Sequence, residues 1–277
     1  MLFTVLASGM LCVLYLFKDQ LMKLVEVQVS FGAFVCLTIL IDQVIGASPK
    51  VSWLAKESVK IPELLTGEKD SKLAYSTIVS MLISLSFVVP WYLTRNWVLN
   101  NIIGCAMSIV FIKVIQLNKI DPALIFLSLL FIYDIFWVFL SPSVFPQGKS
   151  VMVEVAMAYN IPNKLIMPAI LNPEGRNSML GLGDIVIPGV YLSYLDNLGK
   201  MRNTDAYFNA GLIAYAVSFL QCAFVIMVFD SAQPVLLYIV PCLFIATYKV
   251  ARKRHELHMI RDIDVNSAEK VEQLKEE

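Results

Sequence analysis

The chain is expected to be an all-α membrane protein, a polytopic bundle of about eight transmembrane helices. Three observations predict this. Of its 277 residues, 58% are hydrophobic and only 16% are charged, with a mean hydropathy of +0.69. A water-soluble domain of that length needs more charge to cover its surface. Apolar stretches of nearly the ~20 residues that cross roughly 30 Å of hydrocarbon recur along the chain. Two aspartates, Asp134 and Asp184, lie inside such stretches. There an ionised carboxylate costs at least roughly 2.5 to 3.5 kcal/mol, so it is rarely present without a purpose.

The spans follow in order. Leu2–Phe17 is apolar, with no basic segment before it and no small-x-small cleavage site, and reads as a first helix rather than a removed signal peptide. Val27–Ile45, Leu73–Leu93 and Trp97–Ile115 are continuous apolar runs, and Pro122–Leu140 carries Asp134. Leu180–Leu195 is short, carries Asp184 and contains Gly181, Gly183 and Pro188. Glycine and proline at membrane depth are tolerated where the backbone faces protein or a water-filled cavity. Asn209–Phe229 and Pro234–Val250 complete the set, the latter marked by Pro234 and Pro241. The five cysteines, Cys12, Cys36, Cys105, Cys222 and Cys242, fall within these runs and read as small hydrophobes rather than disulfides or ligands.

Lysine and arginine set the orientation. With the N-terminus cytosolic, 16 of the 22 basic residues fall on the cytosolic side and 6 on the other. Both termini are therefore expected in the cytosol, and the Ser141–Met179 loop on the lumenal side. Residues 1–250 form a single transmembrane catalytic domain in this reading, and 251–277 a cytosolic polar tail. The VMVEVAMAY run within the loop is too short to span; it reads equally as a re-entrant piece or as plain loop. Asp134 and Asp184 then lie about 9 and 6 Å below the same membrane face, at roughly 1.5 Å per helical residue.

That geometry permits chemistry. Two close carboxylates do not both ionise easily, so one keeps the proton while the other is charged. One can then activate water while the other protonates a carbonyl, as in aspartic proteases. A lone intramembrane aspartate can equally be a hydrogen-bonding group between helices. Three motifs frame the pair: Tyr133-Asp134 within FIYDIFWVF, Gly181-Leu182-Gly183-Asp184 opening its span, and Gln233-Pro234-Val235-Leu236 at the start of the last. Glycines beside Asp184 leave room for another backbone to approach. Tyr133 reads as a neighbour of the pair or as aromatic packing. Other membrane catalysts are excluded: the two histidines, His255 and His258, lie in the polar tail, so no span holds a Ser–His pair or an HExxH zinc site. The zero net charge argues against nucleic acid as a partner.

Taken together and in this order, FIYDIFWVF, MLGLGDIVIPG and AQPVLLYIVP resemble the intramembrane aspartyl proteases, and within them the signal peptide peptidase branch rather than the presenilin branch. The resemblance covers nearly the whole chain. It implies that Asp134 and Asp184 are the catalytic pair, and that Pro234, Val235 and Leu236 form the active-site-adjacent motif usually written Pro-Ala-Leu, with valine here in place of alanine. It implies an endopeptidase without metal or cofactor, resident in the endoplasmic reticulum membrane. Its partners would be the lipid bilayer and transmembrane peptide substrates: signal-peptide remnants and type II membrane proteins. Whether it forms a homo-oligomer is left open. The family typically has nine spans and a lumenal N-terminus; the eight counted here align best with the family's first span missing. In presenilins the catalytic spans point the opposite way, so the charge distribution favours the same branch. Two other readings stay open: a catalytically weak homologue that binds membrane proteins in quality control, and a transporter using the acid pair as a proton relay.

Overall fold

The computed structural model describes residues 18–49, 51, 53–56, 58–60, 72–140, 161–168, 178–229 and 233–257. The predicted span Leu2–Phe17, the VMVEVAMAY run and the last twenty residues, His258 among them, lie outside these. The other seven predicted spans each overlap a helix, although Leu180–Leu182, placed at the start of the sixth span, fall in a strand and a turn before the helix begins at Gly183. The helices are α1 (Lys18–Ala47), α3 (Tyr75–Thr94), α4 (Trp97–Val114), α5 (Ile120–Ile135), α6 (Gly183–Met201), α7 (Ala206–Phe229) and α8 (Leu236–Lys253). A four-residue helix α2 (Trp53–Lys56) and two antiparallel hairpins, β1 (Ser58–Lys60) with β2 (Lys72–Ala74) and β3 (Lys164–Met167) with β4 (Ser178–Gly181), lie in the connections. These small sheets were not expected. Their sequences are too short and too irregular to announce a strand period.

Five helical segments among the described residues are long and apolar enough to cross a membrane: Lys23–Ala47, Tyr75–Thr94, Trp97–Val114, Ile120–Leu140 and Ala206–Phe229. The polytopic helical class thus holds, while α6 and α8 fall short of that standard. Asp184, Asp196 and Lys200 in α6, and Lys249, Arg252 and Lys253 in α8, dilute their apolar character.

The described chain gathers into two compact units. One holds α1 from Met22, α2, α3, α4 as far as Phe111 and both hairpins up to Leu182; the other holds the start of α1 as far as Leu21, the end of α4 from Ile112 and helices α5 to α8. In the first, Leu37 of α1, Trp91 of α3 and Ile103 of α4 centre an apolar core. α3 is patterned for lipid: its buried side includes Ser76, Ser80 and Ser84, while Leu82 and Leu93 point outward. Small residues let helices approach closely where lipid leaves no hydrophobic drive between them. The hydroxyls of Ser80 and Ser84 return to the carbonyls four residues back at 2.7 Å, and Thr38 of α1 donates to Ser84 Oγ at 3.2 Å.

In the second unit, Leu127 and Leu130 of α5, Tyr191 and Leu195 of α6, Tyr207 of α7 and Ile239 of α8 form the core. Gly211 lets α7 close on α6; a Cβ there would stand 2.7 Å from Leu195 Cδ1. The outer face of α7 is apolar, with Leu220 and Met227 largely exposed. α8 runs past position 250 to Lys253, and the chain stays packed as far as Glu256, whose carboxylate accepts a 2.6 Å hydrogen bond from the Tyr207 hydroxyl. Arg202 and Arg254 both lie 3.3 Å from the other carboxylate oxygen. Burial pushes the Glu256 carboxyl up, but the Tyr207 hydroxyl and the two arginines outweigh it, holding Glu256 below the ordinary glutamate value.

Candidate active site

Asp134 is carried on the last turn of α5, where the helix changes character. Residues Phe136–Leu140 continue it as a π-helix, and the Phe136 N–H donates to the carbonyls of both Ile132 and Tyr133. Such turns recur at functional sites because they re-aim side chains without ending the helix. Asp134 is buried, with only 4% of its surface exposed. Tyr133 is half-buried, and its ring packs at 6.3 Å on that of Trp137, so the aromatic-packing reading describes the contact seen.

Asp184 is the second residue of α6, in a first turn where a negative charge meets the positive end of the helix dipole. It is half-buried. Its backbone carbonyl accepts a 3.4 Å hydrogen bond from the hydroxyl of Tyr215 on α7. The charge of Asp134 acts on Asp184, so the two carboxylates lie within electrostatic reach of each other.

The start of α8 supplies the third element. The first N–H groups of a helix have no partner within it. Pro234 has no N–H at all. Leu236, the first helical residue, donates its N–H to the Asp134 carboxylate. The carbonyls of Pro234 and Val235 are used inside the turn, accepting from Leu237 at 3.2 Å and from Tyr238 at 3.1 Å. Pro234 and Leu236 are buried, and Val235 packs half-buried against the core of this unit. The second oxygen of Asp134, Oδ2, is buried without a hydrogen-bond partner among the described residues. One oxygen is thus held and the other left for something else.

The Gly181-Leu182-Gly183-Asp184 motif is divided. Gly181 ends β4, paired with Lys164 of β3, and Leu182 donates its N–H to Asn163 at 2.9 Å while its side chain enters the core of the first unit. That hairpin is tied to α4: Asn100 donates to the Lys164 carbonyl at 2.7 Å, and Asn101 exchanges two 2.8 Å hydrogen bonds with the Ile166 backbone. Gly183 and Asp184 belong to α6. Over Gly183 there is space: an added Cβ would meet only Ile187 Cδ1, at 3.8 Å. Among the described residues no other neighbour closes on that side of Gly183.

Of the predicted residues, Asp134, Asp184 and the Pro234–Leu236 turn come together within one unit, whereas the Leu182 side chain does not join them. On α7, Tyr215 went unremarked in the sequence and Cys222 was read only as a small hydrophobe. Tyr215 meets Asp184 as above, and buried Cys222 lies within electrostatic reach of both acids. Their only signal was a hydroxyl and a thiol seven residues apart in an otherwise apolar span. Among the described residues no cluster of His, Cys, Asp and Glu could hold a metal ion.

The model of the signal peptide peptidase family matches residues 1–266. The chain belongs to the signal peptide peptidase family. Mouse signal peptide peptidase is 40% identical over 163 residues, covering 56% of this chain and 41% of that protein. Chicken signal peptide peptidase-like 2B is 31% identical over 276 residues, covering 93% of this chain and 45% of that protein. A probable intramembrane protease of Schizosaccharomyces pombe is 32% identical over 195 residues, covering 67% of this chain and 63% of its own length. The chain thus spans less than half the length of the mouse and chicken relatives. Family membership and the apolar helices make it a multi-pass membrane protein.

Proposed function

We propose that the chain is an intramembrane aspartyl endopeptidase, with Asp134 and Asp184 as the catalytic pair. One observation carries the reading: carboxylates on the two helices α5 and α6 lie within electrostatic reach of each other, one of them held by the Leu236 N–H. The ionised member of the pair takes a proton from water as the water attacks the scissile carbonyl. The protonated member donates to the developing oxyanion, and the amine leaves with the proton returned to it. The two acids titrate as a coupled pair, so neither role is bound to one residue.

The Leu236 N–H stabilises charge on Asp134 and fixes that carboxylate's rotamer, leaving Oδ2 for the water or the partner acid. The open side of Gly183 is where an unwound substrate backbone would pass Asp184. Substrates in this reading are transmembrane segments of type II orientation and signal-peptide remnants, consistent with the names of the relatives, and the site of action is the endoplasmic reticulum membrane. The 16-to-6 distribution of basic residues supports cytosolic termini. Incubating the purified protein with a fluorogenic transmembrane peptide tests the proposal. Wild type should release fluorescence and Asp184→Ala should not; equal rates would refute it.

A further inference from the structure

We propose that α5 and α8 form a lateral site for an anionic phospholipid, with its acyl and glycerol portion between the helices and its phosphate on the basic end of α8. A groove of about 530 Å³ runs there, walled by Leu124 and Ser128 of α5 and by Phe244, Tyr248 and Ala251 of α8. That volume lies within the roughly 300–1,000 Å³ typical of small-molecule sites. Its walls are mainly apolar, and beside it Ile125 and Ile245 are largely exposed, as residues facing hydrocarbon are. Neither Asp134 nor Asp184 lines it, so the groove is separate from the acid pair.

Charge decides the occupant. Phe244 and Tyr248 also line a second, more open hollow of about 700 Å³, whose rim is Lys249, Arg252, Lys253 and His255. The neighbouring Arg202 and Arg254 are engaged by Glu256. Lys249, Arg252 and Lys253 have no acidic partner among the described residues. An apolar slot continuous with three cations that no described acid pairs matches a molecule that is apolar along its length and negative at its head. Asp121 lines the α5 side of the groove and not the basic hollow, which directs the phosphate to the α8 side. A zwitterionic lipid fits the slot but leaves the excess positive charge unmatched.

The purified full chain, loaded from an equimolar mixture of phosphatidylserine and phosphatidylcholine and then stripped with detergent, is read by native mass spectrometry for retained lipid. Phosphatidylserine should be retained about tenfold or more over phosphatidylcholine, given three basic side chains at the headgroup. The combined Lys249→Gln, Arg252→Gln, Lys253→Gln variant should bring the ratio to parity. Filling the slot with Ser128→Trp, or more gently Leu124→Phe, should cut retention while leaving all three charges in place. Folding of each variant is followed by its thermal midpoint, and the gentler substitution serves if the larger one unfolds. Equal retention of the two lipids by wild type would overturn the proposal. So would undiminished phosphatidylserine in a folded slot-filled variant, which would leave only a diffuse surface field. Release of the lipid by excess inorganic phosphate would likewise overturn it, in favour of a bare anion site.

Discussion

The N–H of Leu236, the first residue of α8, donates to the carboxylate of Asp134 at the end of α5. The last motif of the chain therefore acts on the first through its backbone, at the one helix position whose amide has no partner of its own. This separates two roles that a leucine at that position combines. Replacing the 236 amide by an ester, which deletes the N–H and keeps the side chain, should slow peptide cleavage by about 10- to 100-fold, since a hydrogen bond to a charged group contributes roughly 1.5–3 kcal/mol. Leu236→Ala keeps the amide but empties a buried site, and should mainly lower stability, by about 2–5 kcal/mol. An ester variant with undiminished kcat would remove the amide from the mechanism.

Asp134→Ala and Asp184→Ala should each abolish cleavage while membrane expression persists. Two acids sharing one proton act as a unit, so loss of either removes the reaction rather than halving it. Turnover comparable to wild type in either variant, measured on the same transmembrane peptide, would exclude the pair.

Cleavage should follow a bell-shaped pH profile, because only the singly protonated pair is competent. The acid limb reports protonation of both carboxylates, the alkaline limb ionisation of both. A rate that stays level across the acid range, with folding intact by circular dichroism, would argue against two coupled acids.

Pro234→Ala should be damaging and Val235→Ala tolerated. Pro234 is buried, and alanine there would add a backbone N–H at a buried position that has none. Val235 is half-buried beside the turn, so alanine removes bulk without exposing a polar group. Its expected effect is a shifted distribution of cleavage sites on a fixed substrate set, read by mass spectrometry. Full loss of activity in Val235→Ala, or none in Pro234→Ala, would show that the turn is not part of the site.

Glu256→Gln should destabilise the protein at neutral pH and do so less in acid. The Glu256 carboxyl sits below its ordinary value of 4.5 in the folded chain. Its contribution is therefore present above that value and lost as pH falls through the lower folded one. Thermal midpoints of wild type and variant should differ by several degrees at pH 7, at about 2–4 °C per kcal/mol. They should converge as the carboxylate protonates; a pH-independent gap would mean that packing, not charge, holds the end of α8.

Much of this was legible in the sequence, for identifiable reasons. A membrane helix advertises itself by length and apolarity alone, so the five helical segments long and apolar enough to span could be located without knowing any neighbour. The cost of a charge in hydrocarbon singled out Asp134 and Asp184 by the same logic. Three short motifs around them were enough to reach the family. α6 and α8 are the less apolar helices, because both trade apolar residues for charged ones.

Tertiary structure decided what no single segment contains. Which oxygen of Asp134 is held, and by which amide, depends on where α8 begins relative to the end of α5. No residue of Phe136–Leu140 marks the π-turn that follows Ile135. Tyr215 and Cys222 became relevant only when α7 packed beside α6, since in sequence they are ordinary members of an apolar run. The β3–β4 hairpin exists because Asn100 and Asn101 satisfy backbone groups sixty-odd residues away. Patterns of burial are local and so can be read along a chain; the pairing of a particular donor with a particular acceptor is not, because it is settled only when distant helices meet.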